Sequence, residues 1–142
     1  EQLAELKQDE ELIQNAISET LRYESSGKTG LARYVSEDME LLGVEVKKGQ
    51  MIQLITSTAG LDPNTYDDPD TFDIHRNHDK SISFGQGPHY CIGVTLVRPQ
   101  TEVMLRELFN RFPDLSLTGD VKYDYDHHNA RRMTELTVKT NI

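Results

Sequence analysis

A stripe of apolar positions near the start of the chain predicts the first long helix. These positions recur three and four residues apart, as they do on one face of an α-helix; they are Leu12, Ile13, Ala16, Ile17 and Leu21. Asp9 can cap the start of this helix, and the small residues 25–27 mark its end. Leu3 and Leu6 indicate a shorter helix before it.

Apolar and polar residues then alternate, which predicts strands. The alternation covers residues 31–35 and 44–46, and a run rich in β-forming residues follows at 51–58. Turn-forming glycines separate these runs, so the spacing predicts a small antiparallel sheet. Residues 62–64 predict a short helix or a turn. The polar segment 67–83 has no periodicity, and a long irregular stretch inside a compact domain is usually functional.

A second amphipathic stretch predicts a long helix over residues 92–112. Pro99 lies inside it and should kink it or remove one hydrogen bond. Strands are predicted at 115–117 and 136–138, joined by an acidic loop with a histidine pair at 127–128 that is expected to be solvated and not to bind a metal. The predicted fold class is therefore α+β, with two long helices, a small antiparallel sheet and a functional loop before the second helix.

Composition narrows the classes of function. The chain has 142 residues, enough for one domain with its own core, and a formal net charge of −9. Such an acidic chain is a poor nucleic-acid binder, because phosphate contacts need clustered Lys and Arg. A single cysteine excludes an internal disulfide and favours a cytoplasmic location. No apolar stretch approaches the roughly 20 residues that span a membrane.

That single cysteine, Cys91, lies in a glycine-containing loop, Phe-Gly-Gln-Gly-Pro-His-Tyr-Cys-Ile-Gly, which spans residues 84–93. Glycines allow close approach of a flat ligand to the backbone, and backbone N–H groups at the start of the following helix stabilise a thiolate. A thiolate in such a place can be an axial ligand of haem iron. The alternative is that Cys91 is a small buried apolar residue, which is a common role for a free cysteine.

The loop resembles the haem-binding signature of the cytochrome P-450 family, Phe-x-x-Gly-x-x-x-Cys-x-Gly. The matching residues are Phe84, Gly87, Cys91 and Gly93, and His89 stands two residues before the cysteine, as in many soluble bacterial members. The resemblance implies the C-terminal portion of the cytochrome P-450 fold, with haem b bound through the Cys91 thiolate.

Two further motifs extend the resemblance. Glu19-Thr20-Leu21-Arg22 resembles the family's Glu-x-x-Arg on a helix, and residues 69–76 resemble the segment that ends in a second arginine, here Arg76. Residues three apart share a helical face and can pair, although a solvated surface ion pair is the alternative. The resemblance implies that Glu19, Arg22 and Arg76 form a buried structural triad under the haem loop.

The resemblance also implies a reaction and its partners. The family's enzymes insert one oxygen atom from O₂ into an organic substrate, here expected to be small and apolar, with electrons from a ferredoxin or a flavoprotein. It implies that Arg33 and His89 bind the haem propionates, and that Phe84 lies against the porphyrin. The residues expected to line the substrate pocket are Thr29, Gly30, Leu31, Ala130 and Arg131.

Length qualifies this expectation. Family members are much longer, and the three motifs lie in their C-terminal third, so residues 1–142 are expected to be that segment without the oxygen-activating helix. Residues 59–62 loosely resemble that helix but come after Glu19 and run into a proline, so the match is rejected. The alternative function is a catalytically inert fragment that binds haem weakly or not at all and self-associates, most simply as a homodimer.

Overall fold

The helices form the scaffold of the chain in this computed structural model, which describes residues 1–25, 27, 30–126 and 130–140. Helix α1 spans Gln2–Gln8, α2 spans Ile13–Tyr23, α3 is a single turn at Thr56–Ala59, and α4 spans Val94–Arg111. The Asp9 carboxylate accepts a hydrogen bond from the N–H of Glu11 at 3.0 Å and so caps the 3-10 turn Glu10–Leu12 that leads into α2.

The strands form antiparallel pairs. The pairs within the described residues are β1 (Leu31–Tyr34) with β4 (Met51–Leu54), β2 (Met39–Leu41) with β3 (Val44–Val46), β5 (Ser116–Leu117) with β8 (Val138–Lys139), and β6 (Lys122–Asp124) with β7 (Arg132–Glu135). The single small sheet predicted for residues 31–58 is therefore wrong in detail, because its strands divide into two separate pairs. Leu42 and Gly43 both have positive φ and form the tight turn between β2 and β3.

Two other predicted elements need correction. The β-rich run at 51–58 ends as a strand at Leu54, because Thr58 turns back and donates its hydroxyl to the carbonyl of Ile55 at 2.8 Å in α3. The loop predicted between the last two strands contains the β6–β7 pair; an irregularity at Lys122/Tyr123 obscures its alternation. The histidine pair at 127–128, which is predicted to be solvated, lies outside the described residues.

Helix α4 begins at Val94, and the cysteine loop leads directly into it through a turn at 91–93. The helix continues through Pro99 to Arg111. Because proline has no N–H, the carbonyl of Thr95 receives no bond from the residue four positions later. The position of this helix directly after the loop matches the expectation from sequence.

The core lies where α1, α2 and the irregular segment meet α4. Its buried members are Leu6, Ile13, Ala16, Ile17 and Ile74, with Leu105 and Phe109 of α4 packed against them. The irregular segment is fixed by side chains of the helices: Gln2 bonds the carbonyl of Phe72 and the N–H of Ile74, both at 2.8 Å. Asn15 donates to the carbonyls of Ile74 and Arg76. Segment 67–83 is therefore irregular, as predicted, and yet firmly held.

The described helices include none that is both long and apolar enough to cross a membrane.

Gly60 provides a test of this arrangement. A Cβ atom at this position would lie 2.5 Å from the backbone oxygen of Arg22, although the backbone conformation itself (φ −67°) suits any residue. We expect Gly60→Ala to lower the free energy of unfolding by about 1–3 kcal/mol, because backbone atoms must move apart. The measurement is urea unfolding followed by circular dichroism.

The matched control is Gly119→Ala. Gly119 is exposed and has nothing within 4 Å of its virtual Cβ, so we expect a change within about 0.5 kcal/mol. Equal effects of the two substitutions would contradict the close approach at Gly60.

Candidate functional site

The cysteine loop is closed by backbone hydrogen bonds. The N–H of Cys91 donates to the carbonyl of Phe84 at 2.9 Å, which joins the two ends of the loop. Gly85 donates to Ile82 at 2.8 Å, and Tyr90 donates to Gly87 at 3.0 Å in a 3-10 turn. The backbone of Cys91 is thus held in a closed, hydrogen-bonded loop.

The glycines of this loop have different roles. Gly85 and Gly87 have φ of 75° and 72°, in the left-handed region that favours glycine, so they allow the chain to turn sharply before the cysteine. Gly93 has an ordinary φ of −72°, but a Cβ there would lie 3.6 Å from the Cys91 sulfur. Because Gly93 has no Cβ atom, that side of the half-buried Cys91 sulfur is open.

Arg98 connects the loop to α2. Its guanidinium lies 5.5 Å from the centre of the Phe84 ring, and it donates to the hydroxyl of Ser18 at 3.0 Å. A cation over an aromatic face is favourable. Ser18 directly precedes Glu19 in α2. Arg98 therefore links Phe84 of the loop to the part of α2 that carries Glu19. Sequence reasoning did not identify this link, because it crosses 80 residues.

Glu19, Arg22 and Arg76 come together in the structure. The Glu19 carboxylate accepts two parallel bonds from Arg22, both at 2.7 Å, and both side chains are fully buried. The Arg76 Nε atom lies 3.4 Å from Glu19 Oε1. Asp73, which sequence reasoning missed, donates its backbone N–H to the same oxygen at 2.8 Å. A bidentate arginine–carboxylate pair is among the strong polar contacts of proteins.

Backbone carbonyls accept the three remaining hydrogen bonds of Arg22 and three bonds from Arg76. Arg22 donates to the carbonyls of Gly60, Pro69 and Thr71 at 2.7–3.0 Å. The carbonyls that accept from Arg76 are those of Asp67, Asp68 and Thr71, at 2.6–3.1 Å. Together the two guanidinium groups therefore fix the course of segment 60–71 as well as pairing with Glu19.

Two tyrosines enclose the Arg22 guanidinium. Tyr23 and Tyr66 have ring centres 5.6 Å and 5.4 Å from its central carbon. Tyr66 is buried, and burial raises the pKa of its hydroxyl. Single aromatic residues carry no sequence signal for this role, because their partner is defined only by the fold.

The ionisation of Glu19 follows from its partners. Burial alone would raise the pKa of this carboxyl group, but the hydrogen bonds from Arg22 and Asp73 and the charges of Arg22 and Arg76 outweigh burial and lower it. Glu19 is therefore an anion at neutral pH with no proton to give. It cannot serve as a general acid.

An open cleft lies between the β1–β4 pair and the cysteine loop. It has a volume of about 270 Å³, and the residues on its wall include Leu31, Arg33, Ile82 and Gly85. Arg33 is exposed, and its guanidinium donates to the carbonyl of Ala32 at 2.9 Å. His89 is also exposed, in the 3-10 turn of the loop. The cleft thus brings one predicted propionate-binding residue, Arg33, next to the loop.

The predicted substrate-lining residues come from two segments that meet. An isolated antiparallel bridge joins Gly27 to Ala130. Gly30 has a φ of 69°, and a Cβ there would lie 2.0 Å from the carbonyl oxygen of Leu54, so only glycine allows this crossing. Arg131 pairs with Glu24 and lies 4.6 Å from the centre of the Tyr123 ring. Thr29 lies outside the described residues.

The loop has the chemistry that a thiolate-bound haem needs. Its sulfur is half-buried at the end of a glycine-rich turn, an aromatic ring stands at the other end, and a cation lines the adjacent cleft. The described residues contain no group of three or more His, Cys, Asp or Glu side chains able to hold a metal ion. A single sulfur donor fits a haem, whose porphyrin supplies the other iron ligands, and does not fit a free metal ion.

Comparison with known proteins agrees with this geometry. The family model for cytochrome P-450 matches residues 5–136. The chain is 34% identical over 138 residues to an epothilone C/D epoxidase of Sorangium cellulosum, covering 97% of this chain and 33% of that protein. It is 38% identical over 125 residues to a biotin biosynthesis cytochrome P-450 of Bacillus subtilis, covering 88% and 31%.

A solved structure of an epothilone D-bound cytochrome P-450 matches the fold with a TM-score of 0.94 at 34% identity, over 99% of this chain and 34% of that one. The chain spans about a third of the length of the curated relatives that it matches. The expected fold class, the C-terminal portion of this fold, is confirmed.

Glu19, Arg22, Arg76 and the backbone N–H of Asp73 together form the Glu19 cluster. Removal of its carboxylate should cause a large loss of stability. We expect Glu19→Ala to lower the free energy of unfolding by about 3–5 kcal/mol, because it leaves the buried Arg22 unpaired. Chemical denaturation measures the effect.

Glu107→Ala is the matched control. Glu107 pairs with Arg111 one helical turn away, but both side chains are more than half exposed. We expect a loss of about 0.3–0.5 kcal/mol. A Glu19→Ala protein with the stability of the control would show that the buried cluster does not hold the fold.

Proposed function

Because the chain belongs to the cytochrome P-450 family, we propose that the polypeptide that carries it is a haem-thiolate monooxygenase, of which residues 1–142 form the C-terminal haem-binding segment. The observation that carries this proposal is the placement of Cys91. Its half-buried sulfur stands at the end of a hydrogen-bonded glycine loop, directly before α4.

The proposal assigns the haem b contacts to residues of the loop and the cleft. Cys91 would be the axial ligand, and Phe84 would contact the porphyrin. Gly85 and Gly87, with positive φ, and Gly93, without a side chain beside the sulfur, would allow its close approach. Arg33 and His89 would donate hydrogen bonds to the propionates. When bound, such a haem supplies the oxidising chemistry that places one oxygen atom of O₂ in a substrate.

The Glu19 cluster has a supporting role in this proposal. A carboxylate paired with two guanidinium groups is ionised and fully occupied, so it transfers no proton to the reacting centre. It holds segment 60–76, which leads into the loop. Loss of Glu19 should therefore reduce folding or haem content more than it changes the chemistry of the haem that remains.

The proposal includes the substrate class and the electron donor. Two similar proteins are named as an epothilone C/D epoxidase and a biotin biosynthesis enzyme, and one solved structure holds epothilone D. These names favour an organic substrate, and the apolar side chains of Leu31 and Ile82 on the wall of the cleft favour an apolar one. Electrons would come one at a time from a ferredoxin or a flavoprotein. The single cysteine favours a cytoplasmic location.

A second function is proposed for the chain on its own, because it spans a third of its relatives' length. Large apolar side chains of α4 are exposed, including Leu96, Val103 and Met104. An apolar groove of about 390 Å³ also runs between α1, α2 and α4. Such surfaces drive association. The 142-residue chain alone would then be an inert, self-associating fragment with weak haem binding.

One prediction of this proposal concerns Cys91 as the haem ligand. In the longest polypeptide that contains this chain, Cys91→Ser should abolish the CO-difference band of a thiolate-ligated haem and the associated oxygenation of substrate. The reason is that Cys91 is the only cysteine of the loop and of residues 1–142. Leu42→Ala is the matched control, because this side chain is 97% exposed in the turn between β2 and β3, outside the loop and the cleft, and should leave the spectrum unchanged. A thiolate-type spectrum in Cys91→Ser would refute the assignment.

A second prediction separates the enzyme from the fragment. The isolated 142-residue chain should retain less than one haem per chain after incubation with excess haem and desalting, and it should elute as a dimer or larger species. The physical reason is that haem affinity depends on apolar burial of both porphyrin faces, at about 25 cal/mol per Å², and this chain supplies the cysteine side. A monomer with one haem per chain and substrate turnover would overturn the fragment hypothesis.

A further inference from the structure

His78 is a largely buried titratable side chain that the proposed function does not use. It lies in the irregular segment between Arg76 and the cysteine loop, and its side chain is only 9% exposed. Its Nε2 atom is 3.6 Å from Glu19 Oε2, which is too far for a hydrogen bond. Within the part of the chain that the structure describes, neither ring nitrogen has a hydrogen-bond partner.

Burial is the main obstacle to protonation of His78, and the charges near it act in both directions. Those that face it are Glu19 and Arg22 from α2, Arg76 from its own segment and Arg98 from α4. The one anion, Glu19, is already paired with Arg22 and Arg76. The charged form of the imidazole would have two N–H donors and no acceptor within hydrogen-bond distance among the described residues, with Glu19 Oε2 at 3.6 Å. Such a cation would be poorly solvated.

We propose that His78 makes the Glu19 cluster sensitive to acid. The imidazole is accommodated there only in its neutral form, and its protonation weakens the attachment to α2 of the segment before the cysteine loop. The proposal concerns folding and not haem chemistry. It holds or fails independently of the proposed function.

The direction of the pH dependence follows from the environment. Burial, followed by the charges of Arg22, Arg76 and Arg98, lowers the pKa of His78 from its ordinary value of 6.5, against the opposing effect of Glu19. Below pH 6.5 the unfolded chain therefore binds a proton that the folded chain does not. Stability is fully present above this pH and falls as the pH is lowered, until the folded state is protonated too.

This pH window is separate from that of Glu19. The pKa of Glu19 is lowered from its ordinary value of 4.5, so the stability that depends on its charge is lost only at pH values below that. Between pH 7.5 and 5.5, histidine protonation therefore dominates the response of the cluster. One histidine that is protonated only in the unfolded state raises the unfolding constant by up to about tenfold over this interval.

The chain provides a matched pair of histidines for the test. His75 lies three residues before His78 in the same segment, but its side chain is 52% exposed and contacts the exposed Glu5. We would measure urea unfolding of the wild-type polypeptide, His78→Gln and His75→Gln at pH 7.5, 6.5 and 5.5 and constant ionic strength. Glutamine keeps a polar side chain and cannot be protonated.

We expect the wild-type protein and His75→Gln to lose stability together as the pH falls. The unfolding constant of His78→Gln should rise less, by a factor of up to about ten between pH 7.5 and 5.5. An equal pH dependence in all three proteins would overturn the proposal. So would a dependence that is reduced in His75→Gln instead.

Hydrogen exchange of the wild-type protein covers the case in which His78→Gln does not fold. After correction for intrinsic rates, peptides from residues 66–86 should lose protection between pH 7.5 and 5.5, while the C-terminal half of α4 keeps its protection. Uniform loss across the chain, or none in residues 66–86, would refute the proposal.

Discussion

The buried carboxylate of Glu19 is the constraint on which the rest of this structure depends. It is fully buried on α2 and accepts bonds from Arg22 and from the backbone of Asp73, with Arg76 beside it. An ionised carboxylate is costly to remove from water unless it is paired and hydrogen-bonded. The chain meets this requirement by bringing a segment more than 50 residues away onto α2. Compensating one charge therefore also determines the path of the irregular segment.

Two arginines around one carboxylate leave an excess of positive charge, which the backbone balances. Six hydrogen bonds from their guanidinium groups end on main-chain carbonyls of Gly60, Asp67, Asp68, Pro69 and Thr71. A carbonyl is a dipole without charge, so it stabilises a cation without forming another ion pair that must be buried. Segment 60–71 can be irregular and still be fixed for this reason. The same positive groups add to the burial that disfavours a charge on His78.

Sequence could predict the parts of this arrangement that are local. Three-residue spacing on a helix implies that Glu19 and Arg22 can pair, and the glycines before Cys91 imply a turn. Contacts across long separations left no local pattern, and the Asp73 N–H, Tyr66 and His78 were missed for this reason. The β6–β7 pair was missed because an irregularity disrupts its alternation. The single sheet expected over residues 31–58 failed because alternation predicts strands but not which strands pair.

The cysteine loop depends on α2 through two separate connections. The irregular segment reaches it from Arg76, and Arg98 of α4 lies over Phe84 while it bonds Ser18, the neighbour of Glu19. The two ends of the loop are therefore connected to Ser18 and Glu19, which are adjacent residues of α2. A hydrogen bond between Cys91 and Phe84 closes the ring between them. The position of Cys91, which lies outside every helix and strand, therefore depends on the buried charges of Glu19, Arg22 and Arg76 as well as on the hydrogen bonds of its own loop.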